Sequence, residues 1–394
     1  MKKYFFFAAA LAALASCSKV EPEDQNGPEI SFQAARYTIA TKAEGDDKDG
    51  AHKVFYSDGS FGVYSYFTTG TSLGDANPLS GGTVYMDNAA VSKNTDNAYA
   101  PTRPYYWPKA GRLSFIGYYP YGDTAPFTVT RSETTMTLAT SAAYTVVEAL
   151  AGQKTNFTSG KSLATADLND LMYATPVYNI NGNPDAVHYD NDDDPSTTYK
   201  GVPMLFHHTL SKVYFKVKLA TLEDREYALP LTTTLTGINV LKIANTGTCA
   251  IDPAAATPVV WTRTAPTSAS TYNSGDFVAD DTVINKASGV GQAAEVSFTS
   301  DQLYVLPQEL VDEVCSVKVS YTVSAGEGKD SQNYSPVINL RTDAITTWEP
   351  NKIYCYTITI DPFSGEIYFD PAVVDWSSPE AEVNKEIKED TPVA

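Results

Sequence analysis

"FHHTLSKVYFKVK", residues 206–218, decides the fold. Val213, Phe215 and Val217 alternate with Tyr214, Lys216 and Lys218, the period-two pattern of a strand with one face in a core. Phe206, His208 and Leu210 alternate too, but with the opposite parity. A one-residue slip turns every side chain to the other face of a sheet, so a parity switch within one apolar run requires a bulge or a bend. A strand that bends from one sheet into another suits a β-sandwich.

The same alternation recurs outward along the chain. "FGVYSYF" (61–67), "RLSFIGYYPYG" (112–122), "CSVKVSYTV" (315–323) and "YCYTITI" (354–360) all read as strands. Between them lie turn-rich stretches such as "GDANPLSGG" and "SAGEGKDSQ". No long segment has a helical period; a few short helices are expected, for instance around "TADLNDLMYA" (165–174). The use of 26 Tyr, 24 Gly and 23 Pro fits the same class. Many short strands separated by such loops build sandwiches or barrels, so the chain is expected to be all-β. Trp107, Phe115, Phe206, Phe215 and Tyr356 lie in alternating strands and are expected to be buried, and Cys315 reads as a small core residue.

A chain of 394 residues is long enough for two domains of ordinary size. The acidic, Pro-containing stretch 185–203 lacks apolar periodicity and separates two strand-rich halves, which predicts antiparallel β-sandwich domains at 28–198 and 199–394. The formal charge is −19, from 47 acidic and 28 basic residues. That balance excludes binding to nucleic-acid backbones, which needs a basic field. It suits a soluble surface outside a cell.

The amino terminus, "MKKYFFFAAALAALASCSKVEPED", joins two lysines to an apolar run too short to span a bilayer as a stable helix. This is a signal peptide, residues 1–16. It ends in Leu14-Ala15-Ser16-Cys17, which resembles the bacterial lipobox, where the thiol takes a diacylglycerol before cleavage. Cys17 is therefore the expected lipidation site and the new amino terminus. Residues 17–27 are acid- and Pro-rich and read as a flexible tether. They resemble the export tag that places lipoproteins on the outer face of the outer membrane. The other cysteines, Cys249, Cys315 and Cys355, have neither the spacing of a disulfide framework nor that of a zinc site.

Signals for chemistry are weak. "GTSLG" (70–74) fits G-x-S-x-G, but a loop follows where a nucleophile elbow needs a helix, so a Gly/Ser turn is the better reading. Asp190, Asp192 and Asp194 have the spacing of a hard-cation loop. Pro195 stands where such a loop needs Gly and no Glu closes it; a solvated linker is the default, a weak surface calcium site the alternative. His207 and His208 are adjacent, so on a strand they point to opposite faces and do not share a metal. No catalytic residue, metal site or cofactor is expected, and the chain is not read as an enzyme.

Residues 30–50, "ISFQAARYTIATKAEGDDKDG", place a hydrophobic first strand ahead of an acidic, Gly-containing loop. Arg36 and Lys42 are the bases in it that a trypsin-like protease would recognise at the strand's end; ordinary exposed bases are the plainer reading.

Several stretches together resemble the FimA/Mfa-like fimbrillin family of the Bacteroidales, the pilins of type V pili. They are the lipobox, "ISF…TKA", "YYWPKAGRLSFIGYYPYG", "DLMYATP", "VPMLFHHTLSKVYFKVK", "LYVLPQEL", "WEPNKIYCYTITI" and "IYFDPAVVDW", in that order along the chain. The resemblance implies two transthyretin-like β-sandwich domains in tandem. It implies a fimbrial subunit for adhesion, lipid-anchored at the outer membrane and cut by a trypsin-like protease after the first strand. It further implies polymerisation with other fimbrial subunits by strand exchange. "TKA" matches the family's T-[RK]-A position, so Lys42 is preferred to Arg36 as the cut site. The alternative is a surface lipoprotein of tip, anchor or ligand-binding type that keeps its first strand and never polymerises.

Overall fold

The structure, a computed structural model, describes residues 27–37, 52–54, 60–69, 82–94, 99–122, 127–131, 135–140, 144–145, 170–183, 201–220, 231–267, 282–284, 298–299, 303–325, 330–362 and 367–375. Every regular element among them is a β-strand. Period-two patterning dictated this outcome. Trp107 is 3 % exposed, and Phe115, Phe206, Phe215, Tyr356 and Cys315 are fully buried, as expected.

The first sheet closes on itself. Its strands run in the order Met172–Ala174, Val202–His208, Phe32–Tyr37, Tyr99–Pro101, Thr83–Lys93, Phe61–Thr68 and Arg112–Tyr119. The ring closes because Met172–Ala174 pairs with both Val202–His208 and Arg112–Tyr119. His52–Val54 and Val177–Ile180 are attached outside this path. Phe32, Phe61, Val91, Phe115, Met204 and Phe206 belong to the core that this ring encloses. Closure removes sheet edges, which an open pair of sheets would leave. The first half is thus a barrel-like ring where alternation alone predicts a sandwich.

Two further five-stranded sheets pack on each other. One is ordered Phe298–Thr299, Ser211–Leu219, Lys352–Ile360, Ile367–Asp375, with Leu303–Val305 also on Ser211–Leu219. The other is ordered Thr282–Ile284, Thr232–Leu241, Ser316–Ser324, Ser331–Tyr334, with Val337–Asn339 also on Ser316–Ser324. Val213, Phe215, Ile238, Val317, Trp348 and Tyr356 fill the space between them.

A fourth sheet draws on both halves of the chain. Phe127–Arg131 and Met136–Thr140 continue into Thr246–Ile251 and Val259–Arg263, through the register Leu138 to Ile251 and Ala139 to Ala250. Its apolar face, with Phe127, Leu138 and Ile251, shares a core with Ile116 and Tyr118 of the ring and with Tyr214 and Cys355 of the second half. The strand Arg112–Tyr119 is therefore buried on both faces, and its sequence is apolar at nearly every position.

The parity switch at residues 206–213 marks the crossing between these bodies. Val202–His208 ends in the ring, Ser211–Leu219 begins in the second pair of sheets, and Thr209 and Leu210 make the step. Three backbone groups at the step are held. Thr209 donates its N–H and its hydroxyl to Leu171 O, at 2.9 and 2.6 Å. The Trp261 indole donates to Thr209 O at 2.7 Å, and Asn351 N–H donates to Leu210 O at 2.9 Å. Two expectations need correction. The strand Val202–His208 lies beyond the expected 198/199 boundary yet completes the first ring, because its buried residues Val202, Met204 and Phe206 face the ring's core. Met172–Ala174 is a strand and not part of a helix, because pairing on both sides satisfies its backbone; residues 165–169 lie outside the described residues.

Candidate functional site

The segment Pro28–Tyr37 has the most unusual seat in the ring. Along one side, Phe32–Arg36 runs parallel to Val202–Phe206, and Val202 N–H donates to Ser31 O at 2.8 Å. Along the other, Ile30 N–H donates to Tyr105 O at 2.8 Å, Trp107 N–H donates to Pro28 O at 3.0 Å, and Phe32 faces Tyr99. Further on, Ala35–Tyr37 pairs antiparallel with His52–Val54. The alternating side chains Ile30, Phe32 and Ala34 are buried in the ring's core. The Phe32 ring meets Phe61 and Phe115 edge-on, at 6.1 and 5.7 Å between centroids.

Two residues let this segment approach so closely. Gly201 lies under it: a Cβ there would stand 2.9 Å from the Phe32 carbonyl carbon, a clash that only glycine avoids. Asn183 clasps it. Its Oδ1 accepts from the Trp107 indole at 2.8 Å and from Ser31 N–H at 3.3 Å, and its Nδ2 donates to Glu29 O at 2.9 Å. Neither residue carries a motif. A lone Asn or Gly in a loop gives no sequence signal until its partners are known.

Arg36 lies within the strand, in register with Phe206 on one side and Lys53 on the other. A protease needs an extended segment with free backbone groups, so Arg36, paired along both sides, is poorly placed for cleavage. Lys42 and Cys17 lie outside the described residues, as do Gly70–Gly74 and Asp190–Asp194.

The strand Ile367–Asp375 is the edge of its sheet. Among the described residues it pairs only with Lys352–Ile360, antiparallel, from Ile367 opposite Ile360 to Asp375 opposite Lys352. Pro371 is tolerated there because an edge strand needs no donor on its open side. Phe369 stacks on Tyr356 at 5.1 Å, and Ile367 and Phe369 are only partly buried.

The titratable groups are arranged for structure. His207 and His208 point to opposite faces, as their adjacency requires. His208 Nδ1 lies 2.8 Å from Asp170 Oδ2, with both side chains buried. His207 stacks on Tyr173 at 5.2 Å and its Nε2 is 2.8 Å from Thr175 Oγ1. Burial, helped by neighbouring His208, pushes His207 down to about 4. Burial pushes the Cys249 thiol up to about 12 and raises Cys315 and Cys355 as well. Such thiols carry almost no thiolate at neutral pH and are poor nucleophiles. Among the described residues no group of three or more His, Cys, Asp or Glu side chains comes together to hold a metal ion.

A fimbrillin-like family model matches residues 41–376. A model of the prokaryotic membrane lipoprotein lipid attachment site matches residues 1–18. No curated protein matches the chain. Among solved structures the chain is similar to a fimbrial protein from Bacteroides vulgatus, at 14 % identity over 88 % of this chain and 99 % of that one, with a TM-score of 0.49. A protein from Bacteroides ovatus assigned to cell adhesion follows, at 14 % identity over 89 % and 98 %, with a TM-score of 0.46. The tip fimbrial protein Mfa3 from Porphyromonas gingivalis, with a C-terminal truncation, matches at 9 % identity over 89 % and 100 %, with a TM-score of 0.32. With one family model running from residue 41 to 376 and a lipid-attachment leader ahead of it, the chain belongs to the fimbrillin-like family.

Proposed function

We propose that the chain is a cell-surface fimbrial subunit with a structural, non-catalytic role in adhesion. It is exported as a lipoprotein acylated at Cys17, held at the outer membrane, and assembled by strand exchange after a trypsin-like cut at Lys42. The observation that carries this reading is the seat of Pro28–Tyr37 between Val202–Phe206 and Tyr99–Trp107. Losing that segment breaks a closed ring, uncovers the places of Ile30, Phe32 and Ala34, and frees backbone groups on both neighbours. Re-covering a large apolar side chain is worth about 1.5–3 kcal/mol, so Ile30 and Phe32 together supply about 3–6 kcal/mol, besides main-chain hydrogen bonds. Before the cut the chain's own strand wins through its high effective concentration, and the precursor is a monomer. After it, a neighbour's carboxy-terminal strand, from the region 365–376, fills the groove.

The two-domain organisation belongs to the same proposal. Both units are read as transthyretin-like, the first closed into a ring, with the crossing at Thr209–Leu210 in place of 198/199. Limited trypsin treatment of the soluble precursor, residues 18–394, tests the proposal. The expected result is loss of residues up to Lys42 and formation of heat-resistant oligomers. A trimmed product that stays monomeric at high concentration sinks polymerisation and makes the chain a tip, anchor or ligand-binding lipoprotein.

A further inference from the structure

The carboxy-terminal edge strand repeats the first strand. Residues 29–35 read Glu-Ile-Ser-Phe-Gln-Ala-Ala, and residues 366–372 read Glu-Ile-Tyr-Phe-Asp-Pro-Ala. The identities fall at Glu29/Glu366, Ile30/Ile367, Phe32/Phe369 and Ala35/Ala372. Two of them, Ile30 and Phe32, are the large side chains that the ring buries.

We propose that Ile367–Ala372 of a second copy occupies the vacated groove in one defined register, with Ile367 in the seat of Ile30 and Phe369 in the seat of Phe32, and that Asn183 clasps its main chain as it clasps that of the first strand. The inference rests on the strand-exchange reading and adds to it the register and the residue that clasps the incoming main chain.

The backbone agrees with this alignment. Successive residues of a strand turn their N–H and C=O to opposite sides. Ser31 O accepts from Val202 N–H, whereas Ile30 N–H donates to Tyr105 O. Odd-numbered residues of the first strand therefore address Val202–His208, and even-numbered ones address the other side. Pro371 aligns with Ala34, so its missing N–H falls away from the parallel ladder and no bond to Val202–His208 is lost. Asn183 touches only main-chain groups of the occupant, the carbonyl of residue 29 and the N–H of residue 31. Glu366 and Tyr368 offer the same two groups at the aligned positions. A shift by one residue would turn Ile367 and Phe369 out of the core. A shift by two one way would put Pro371 where Phe32 sits between Phe61 and Phe115, and a shift by two the other way would put Gly365 in the seat of Ile30.

The strand is also ready to leave. Among the described residues its ladder runs along Lys352–Ile360, and Ile367 and Phe369 are half-covered where they now lie. Seats like those of Ile30 and Phe32, exposed by 1 % and 2 %, would cover them completely.

The test uses the soluble chain, residues 18–394, carrying a specific protease site after Lys42, cut and then titrated with fluorescein-labelled peptides. Peptides 28–40 and 364–376 should bind and compete for one site. Phe369→Asp in the second peptide should weaken it at least 100-fold, and Tyr368→Pro, which removes the N–H aimed at Asn183, about 10-fold. Asn183→Leu in the subunit should weaken both native peptides by a similar factor of about 10. If peptide 28–40 binds and peptide 364–376 fails to compete, or if the Phe369→Asp peptide binds as well as its parent, the register is wrong while strand exchange stands. If neither native peptide binds, strand exchange itself falls. The peptide variants leave the subunit untouched, so a misfolded Asn183→Leu protein does not blur the result.

Discussion

Replacing Phe32 with alanine should loosen the first strand by a measurable amount. The ring is 2 % exposed and lies edge-on to Phe61 and Phe115. Its neighbours belong to strands locked in a closed path of hydrogen bonds, so they cannot collapse far into the space left behind. A Phe-to-Ala change in such a core costs about 3–5 kcal/mol. That loss applies to every opening in which Phe32 leaves its seat. The amide of Val202, bonded to Ser31 O, reports on such openings. At 1.4 kcal/mol per factor of ten, its hydrogen exchange in Phe32→Ala should quicken by about 100-fold to a few thousandfold. Exchange measured by NMR, at a pH where closing outruns chemical exchange, reads this directly. Amides in the second core that open locally, such as Ile358, should keep their rates, because Phe32 packs in a separate core. An acceleration at Val202 below about 10-fold would show that Phe32 does not anchor the strand.

Three further outcomes are expected. Cys17→Ala should yield a protein that incorporates no labelled palmitate and no longer partitions into detergent; unchanged membrane association would refute acylation there. Tyr356→Phe removes a hydroxyl that accepts from the Trp348 indole at 2.9 Å and donates to Leu340 O at 3.3 Å, so urea unfolding should show a loss of about 1–3 kcal/mol. His207 is held near 4 against an ordinary 6.5, so below pH 6.5 the unfolded chain takes up a proton that the folded chain refuses. Its contribution to stability is full above pH 6.5 and declines as pH falls toward 4. The drop in urea midpoint between pH 7 and pH 5 should be smaller in His207→Gln than in the parent.

Local patterning was legible, and non-local pairing was not. Val213, Phe215 and Val217 announce a strand from their own spacing, and the parity switch before them announces the turn at Thr209–Leu210. Nothing near Met172–Ala174 indicates that it pairs with two strands and closes a ring, because that depends on partners at 118–119 and 206–208. The acidic stretch 185–203 misleads as a boundary for the same reason: the strand after it folds back onto the first ring. At the candidate site, the apolar first strand and its trailing bases could be read directly. Asn183 could not, since its role lies in three hydrogen bonds to residues about 76 to 154 positions away.

The sheet built from both halves also bears on the order in which the molecule can form. Cys249 N–H donates to Thr140 Oγ1, a partner that left the ribosome 109 residues earlier. A chain delivered amino end first across a membrane therefore presents its 127–140 hairpin with one edge bare until residues 246–251 arrive. Such an edge invites pairing with whatever strand is nearest, and in a crowd of identical emerging chains that is a neighbour's copy. Slowing translocation between residues 140 and 246 should therefore raise aggregation more than slowing it after residue 263.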